Sequence, residues 1–129
     1  MQLNINCIRD ILLTTEDICD YDTRWIYDKN QPLPHRLNGY THKEIIYHIS
    51  QANKSNLLDN VLIYEGGDSF YVGDLSPSGH QFIANIRNDT FFNKVKSIGK
   101  EIGTNSLQDL TQIAMSCATM IIKAPFNLP

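Results

Sequence analysis

Residues 41–75 read THKEIIYHISQANKSNLLDNVLIYEGGDSFYVGDL, and this stretch decides the fold. It opens with a capping box, because the Thr41 hydroxyl can accept from the Glu44 amide while the Glu44 carboxylate reaches back to the Thr41 amide. The helix that the box predicts runs to about Asn56. A sharply started helix in the middle of the chain is therefore the first expectation.

A β-hairpin is predicted directly after this helix. Residues 57–64 are apolar and suit a strand, and residues 69–75 suit its partner. Residues 65–68, Glu-Gly-Gly-Asp, suit the tip, since paired glycines tolerate positive φ. A capped helix followed at once by a hairpin is the core of a winged-helix domain, a variant of helix-turn-helix.

The flanking segments are mostly helical. Asn4 can cap a first helix, Ser76 and Pro77 open another, and Ser106 caps the last one, which Pro125 ends. A short strand is possible near Trp25, within an irregular segment that contains two prolines. The predicted helices other than the central one cover residues 4–19, 90–102 and 107–123. A further helix opens at Ser76-Pro77 and has Phe82, Ile83 and Ile86 on its apolar face.

The predicted fold class is therefore α+β and mostly helical. Residues 1–88 form a winged-helix-like domain in the order helix, irregular segment or short strand, helix and β-hairpin wing. Residues 89–129 form additional C-terminal helices, packed on that domain as a single compact unit. A length of 129 residues suits one domain of this kind.

Composition excludes several classes of protein. A hydrophobic fraction of 42% is too high for a disordered chain, and a net charge of −3 does not suit a strongly basic nucleic-acid coating protein. The most apolar run, residues 110–122, is interrupted by polar side chains and is too short for a membrane span. Three widely spaced cysteines and no apparent secretory leader favour the cytoplasm.

Nothing in the sequence indicates an enzyme. The four histidines and three cysteines have no metal-site spacing, and the acidic run from Asp17 to Asp28 lacks the glycine and closing glutamate of a calcium loop. Phosphate-binding glycine motifs and nucleophile elbows are also missing. We therefore predict no catalytic residues, no metal and no cofactor.

Several short segments form a combination that points to a known family. They are Leu3-Asn4, residues 7–13, Glu44-Ile45, Tyr47-His48-Ile49, Leu75-Ser76-Pro77, residues 79–82 and Asn85-Ile86-Arg87. Together these segments resemble a family of small uncharacterised phage and prophage proteins, classed as a domain of unknown function with a winged-helix-like fold. The resemblance implies a phage or mobile-element origin and brings no catalytic residues. Two departures are a phenylalanine pair, Phe91 and Phe92, where the family often has tryptophan, and residues 54–57, where it tends to read Glu-Ala-Gly-Leu.

The central helix presents a candidate DNA-reading face. At 100° per residue its apolar positions Ile45, Ile49 and Ala52 fall on one side, and a polar set falls on the other. Lysine can meet phosphate or guanine, glutamine can pair with adenine, and serine or tyrosine can bind backbone oxygens. The predicted DNA-binding residues are Lys43, Tyr47, Ser50, Gln51 and Lys54, with Arg36 and His42 near phosphates.

A solvated surface helix would show the same polar face, so charge placement matters. Residues 29–58 carry a local balance of +3, whereas residues 1–28 carry −4, which places the candidate face in the basic part of the chain. Against DNA, Glu65 and Asp68 make the hairpin tip acidic. Three further lysines, Lys94, Lys96 and Lys100, suit the solvated side of another helix or an extension of the same footprint.

Two functions follow as hypotheses. The first is a DNA-binding accessory regulator, and the alternative is a module with the same fold that binds a host or phage protein without binding DNA. The aromatic residues around the proline loop, such as Trp25 and Tyr27, suit either a protein-binding edge or a lid over the core. The apolar seam of the last helix, residues 107–121, suits either a homodimer or packing against its own domain.

Overall fold

This computed structural model describes residues 1–123, with Glu65 and residues 120–123 described by their backbone alone. The described residues contain five α-helices and short antiparallel β-strands. The α+β, mostly helical class is confirmed. The predicted stop at Pro125 lies outside the described residues. The helices are α1 Ile5–Ile18, α2 His42–Lys54, α3 Pro77–Ile86, α4 Asp89–Glu101 and α5 Leu107–Lys123, and the strands are β1 Trp25–Asp28, β2 Leu58–Asp59, β3 Leu62–Tyr64, β4 Ser69–Val72 and β5 Asp74–Leu75.

The helix starts are fixed by side-chain caps at the positions that the sequence predicts. The Asn4 side chain accepts from the Asn6 amide at 3.0 Å, and the Ser76 hydroxyl accepts from the Gly79 amide at 2.9 Å. The Ser106 hydroxyl faces the Asp109 amide at 3.4 Å. Each cap satisfies amides that have no partner inside the helix.

The hairpin is confirmed by the pairing of β3 with β4, but neither predicted strand is continuous. The second, predicted over residues 69–75, is divided at Gly73 into β4 and β5. The sheet has the order β1-β4-β3, while β2 pairs with β5 in a separate two-stranded ladder. Asn60 adopts a positive φ of 55°, and a Cβ on Gly73 would lie 2.8 Å from the Asn60 Cβ. The prediction of one strand over residues 57–64 is therefore wrong in the middle, because the chain turns at Asn60 and the ladder breaks there.

The inner face of the sheet closes the core beside α1 and α2. Trp25 and Tyr27 are buried, with the Trp25 ring 5.0 Å edge-on and the Tyr27 ring 4.5 Å stacked against the central Phe70. They therefore act as the lid, whereas Tyr21 is 96% exposed. A 3-10 turn over His35–Leu37 places Leu37 in the core, within the segment that the sequence predicts to be irregular.

Helices α4 and α5 pack against α3 and against each other. Arg9 of α1 forms an ion pair with Asp89 at 2.8 Å, and the Asn105 side chain donates to the Leu3 carbonyl at 2.9 Å. The seam residues whose side chains are described, Leu107, Leu110, Ala114 and Cys117, are buried within the chain, whereas Met115 on the same helix is exposed. The seam is thus occupied internally as far as its side chains are described, and it supports no dimer proposal.

No helix in the described residues combines the length and the apolar character that a membrane span requires.

Candidate nucleic-acid interface

The site is built on α2, whose start the capping box fixes. The Glu44 amide donates to the Thr41 hydroxyl at 3.2 Å, and the Thr41 amide donates to the Glu44 carboxylate at 3.1 Å. Ile45, Ile49 and Ala52 are buried completely, as the helical wheel predicts. The orientation of the helix about its own axis is therefore set by its apolar face.

The predicted DNA-binding residues of α2 lie on the side away from the core. Lys43 and Lys54 are exposed, while Tyr47, Ser50 and Gln51 are half-buried. Neither lysine has a carboxylate within 4.0 Å among the side chains that the structure describes, in contrast to Arg9, Lys29, Arg36 and Arg87, which are all paired. The two lysine charges of α2 are thus available to a ligand.

A groove separates α2 from the hairpin tip. It encloses about 420 Å³ and is lined by Lys43, Ile46 and Tyr47 on the helix side and by Gly66 and Gly67 on the hairpin side. Both glycines have positive φ, as the hairpin tip requires.

The acidic character of the tip is partly offset. The Asp68 carboxylate pairs with the Lys29 ammonium at 3.2 Å, so one of the two predicted tip charges has a cation beside it. Both side chains are about half exposed, which makes the pair weak in free energy but still neutralising at short range.

His42 joins the helix to the hairpin. Its Nε2–H donates to the Gly67 carbonyl, its Nδ1 accepts from the Tyr27 hydroxyl at 2.8 Å, and the two rings stack at 5.4 Å. Both ring nitrogens are therefore used inside the protein, so a phosphate contact by His42 would require one of these bonds to break. Sequence reasoning missed this role because the partners are 15 and 25 residues away.

Arg36 is not brought to the α2 face. Its guanidinium pairs with the Asp17 carboxylate of α1, and both side chains line a cavity of about 320 Å³ together with Thr14 and Pro34. No residue of α2 lines that cavity. The predicted phosphate contact of Arg36 therefore lies on a separate feature from the one that carries Lys43 and Lys54.

A second groove, on the other side of Tyr47, runs toward the C-terminal helices. Tyr47 and Gln51 line it together with Gln2, Asn105 and the first turn of α5, and its volume is about 600 Å³. Its walls are mostly polar, so it suits a hydrated, hydrogen-bonding ligand surface.

A third cavity, of about 400 Å³, shares residues with the second groove. Lys96 and Lys100 of α4 line it, and Gln2 and Asn105 are common to both. The α4 lysines are therefore adjacent to the α2 face, which the sequence could not show. Lys94 is exposed but lines neither cavity, so only part of the predicted α4 cluster is brought to the site.

The remaining titratable groups near α2 are structural. Burial raises the pKa of the Cys7 thiol to about 12, with the Glu44 and Asp10 carboxylates adding to the effect. The Tyr40 hydroxyl donates to the Asp10 carboxylate at 2.8 Å, and burial together with that bond raises the pKa of Tyr40. Among the described residues, no three histidine, cysteine or acidic side chains are placed to hold a metal ion.

A family model described as "Hypothetical protein (DUF2513)" matches residues 2–105. The chain belongs to this family. The DUF2513 match extends from the segment before α1 to the end of the α4–α5 connection, so α5 lies outside it. It includes all the residues predicted for the α2 face and the four residues Gln2, Lys96, Lys100 and Asn105 that continue it.

No curated protein and no solved structure matches the chain. DUF2513 is a domain of unknown function, so membership establishes the family and leaves the activity to be argued from the site.

Proposed function

We propose that this DUF2513 protein is a winged-helix domain that binds duplex DNA through the outer face of α2. The observation that carries the proposal is a set of four lysines with no carboxylate within 4.0 Å among the described side chains. Lys43 and Lys54 lie on the outer face of α2, and Lys96 and Lys100 of α4 line a cavity that shares Gln2 and Asn105 with the groove beside Tyr47. The Lys96 ammonium also donates to the Asn6 side chain at 3.2 Å and lies over the Phe92 ring, so it is the most constrained of the four. Because DNA affinity rests largely on phosphate neutralisation, such a set provides the sequence-independent part of binding.

The order of elements supports the winged-helix interpretation. The chain passes from α1 through β1 and a short turn to the capped α2 and then into the hairpin, and β1 pairs with β4 in the three-stranded sheet. In helix-turn-helix proteins, the second helix enters the major groove of DNA. In the proposed arrangement α2 is that helix, and the hairpin beside it is the wing. The phage or prophage origin, the accessory regulatory role and the cytoplasmic location stay predictions.

The chemistry of the α2 face divides into two parts. Tyr47, Ser50 and Gln51 present hydroxyl and amide groups beside the lysines, and a glutamine can form two hydrogen bonds with adenine in the major groove. Lys43, Lys54, Lys96 and Lys100 supply up to four phosphate contacts. The net charge of −3 therefore does not decide the matter, since the contacts depend on the local surface.

The test is fluorescence anisotropy with a mixed-sequence duplex, starting at about 50 mM salt, where affinity for phosphate is highest. We expect binding whose log Kobs falls with log salt with a slope of roughly −3 to −4, as four phosphate contacts imply. The double variant Lys43→Glu, Lys54→Glu should abolish binding, and Lys100→Glu should weaken it and reduce the slope by about 1.

Lys94→Glu is the matched control, because it makes the same charge change on the same helix outside the shared grooves, and it should retain most of the affinity. Circular dichroism verifies that each variant is folded. Absence of salt-dependent binding by the wild-type protein at about 50 mM salt would contradict the proposal. Equal losses of DNA affinity in the Lys94→Glu and Lys100→Glu variants would contradict the proposed phosphate contact by Lys100 of α4.

A further inference from the structure

The outer face of the three-stranded sheet departs from the usual pattern of an antiparallel sheet, which is apolar inward and polar outward. Ile26, Tyr71 and Leu62 stand in register across β1, β4 and β3 and form a row on this face, and Tyr64 follows Leu62 on the same side of β3. Ile26 is 72% exposed, Leu62 52% and Tyr64 48%. These four residues are called the sheet patch below.

The inner face of the same strands already supplies the core contact. Trp25 and Tyr27 of β1 and Phe70 and Val72 of β4 are buried, so the sheet does not need the outer patch for its own packing. The outer aliphatic side chains therefore remain in contact with water in the isolated chain, at a cost in free energy that a docked apolar surface would remove. Aliphatic side chains together with tyrosines are a composition typical of the centre of protein interfaces.

Carboxylates lie at both ends of the patch. Asp28 stands beside Ser69 and Tyr64 in the next row toward the hairpin tip, and Asp59 and Asp74 stand directly opposite each other in the β2–β5 ladder at the far end. Like charges placed opposite each other across a ladder are unfavourable. None of these three carboxylates has a cationic side chain within 4.0 Å among the described side chains.

Arg24, which precedes β1, does not neutralise these carboxylates. It directs its guanidinium back to the carbonyl oxygens of Asp20, Tyr21 and Thr23, with the shortest of these bonds at 2.7 Å. Its charge is thus used to hold the turn that leads into β1. Lys29, which follows Asp28, pairs with Asp68 at the hairpin tip, so among the described side chains Asp28, Asp59 and Asp74 are left without a cationic partner.

We propose that the sheet patch docks a protein segment in which aliphatic side chains are flanked by lysine or arginine. The apolar row of the sheet patch contacts the aliphatic side chains of the docked segment, and the carboxylates at its two ends pair with the lysines or arginines of that segment. One segment therefore complements both the apolar and the acidic parts of the surface. A second copy of this chain would bring the same carboxylates against each other in a twofold contact. DNA would bring phosphates to an acidic surface.

This inference is independent of the DNA-binding proposal, because it concerns the outer side of the sheet and no residue of α2. The test uses the full chain, labelled with nitrogen-15, and a short synthetic peptide in which lysine alternates with leucine and valine. Two control peptides carry glutamate in place of lysine, or serine in place of the apolar residues. We expect amide shift changes in β1, β3 and β4 and at the acidic end formed by the β2–β5 ladder, and only with the basic apolar peptide.

The apolar contribution is tested by the double variant Ile26→Thr, Leu62→Thr, which keeps β-branched or polar side chains suited to an exposed strand. It should weaken peptide binding about tenfold or more. Ile102→Thr is the matched control, since Ile102 is comparably exposed but lies after α4, and it should leave the affinity unchanged.

The charge contribution is tested by Asp28→Asn with Asp59→Asn, which should reduce the dependence of the peptide Kd on salt. Glu101→Gln, an exposed carboxylate at the end of α4, should have no effect. Equal binding of the glutamate peptide, or shifts that map outside the five strands, would overturn the proposal. So would a dimer in sedimentation experiments that the Ile26 and Leu62 substitutions dissociate.

Discussion

The backbone amide of Asn4 donates a hydrogen bond to Nε2 of His48 at 2.8 Å and ties the start of α1 to the buried side of α2. Since Nε2 accepts, the ring proton resides on Nδ1, which donates to the Glu44 carbonyl at 2.7 Å. The ring is 1% exposed. This pair of bonds gives His48 a structural role at the junction of α1 and α2.

Replacing His48 by leucine should therefore lower the free energy of unfolding by about 1–3 kcal/mol, because the Asn4 amide loses its acceptor while the ring's volume is roughly kept. Urea denaturation followed by the fluorescence of the buried Trp25 measures the change. His35→Leu is the control, since His35 is exposed, and it should change the value by less than about 0.5 kcal/mol. Equal losses in both variants would refute the role of the Asn4–His48 bond.

The contact between Gly79 and Leu57 gives a second prediction. A Cβ on Gly79 would lie 2.0 Å from the Leu57 carbonyl oxygen, so Gly79→Ala must push α3 away from the base of the hairpin. We expect a loss of about 3 kcal/mol or more, by the mechanism of overpacking. Gly39→Ala, where nothing lies within 4 Å of the new Cβ, should be close to neutral in the same denaturation experiment. A near-neutral Gly79→Ala would show that α3 does not rest on Leu57 in this way.

The ion pair between Glu16 and Arg87 predicts a pH dependence. The Arg87 guanidinium donates to the Glu16 carboxylate at 2.6 Å and lowers the pKa of Glu16 below its ordinary value of 4.5. Its stabilising contribution is therefore fully present above pH 4.5 and is lost as the pH falls through the lowered pKa of the folded state. Because both side chains are partly exposed, the contribution should be about 0.2–1 kcal/mol.

Comparison of the wild-type protein with Glu16→Gln by urea denaturation should show this difference near pH 7 and convergence in acid. The control is Glu101→Gln, which removes an exposed carboxylate outside any described ion pair. A stability difference that persists unchanged at pH 3 would contradict the assignment to the Glu16–Arg87 pair.

The thiol of Cys7 should resist modification in the folded protein. Burial raises its pKa to about 12, so at pH 8 it is almost entirely in the unreactive thiol form and is also inaccessible. We expect labelling by a disulfide reagent only at the rate at which the protein unfolds, read at the peptide level by mass spectrometry. An introduced thiol, Ser78→Cys, should react at once because Ser78 is exposed. Fast native labelling of Cys7 would show that α1 opens locally.

The sequence predicts features that depend on residues close together in the chain, and it misses those that depend on residues far apart in it. Caps such as Asn4 and Thr41 are bonds within a few residues, so their residue types reveal them. The positive φ of Asn60 breaks a strand whose apolar pattern runs on without interruption. The outward position of Ile26 depends on its register with Tyr71, 45 residues away, which no periodicity within a four-residue strand could indicate.

The candidate site divides in the same way. The polar face of α2 follows from helical geometry and was predicted residue by residue, whereas the pairing of Arg36 with Asp17 and the adjacency of Lys100 to the α2 face depend on how separate elements pack. The charge balance along the sequence identifies residues 29–58 as the basic part of the chain. It does not show which of those cations form ion pairs within the protein, as Arg36 does with Asp17.

The two hydrogen bonds of His42 have a consequence for any ligand that spans α2 and the hairpin. With one bond to the Gly67 carbonyl at the tip and the other to Tyr27 in the sheet, the first turn of the helix and the hairpin are held at a fixed mutual angle before anything binds. A spanning ligand then loses less affinity to ordering the protein than it would with a loose hairpin. The His42 ring therefore contributes to the preorganisation of the groove between α2 and the hairpin tip.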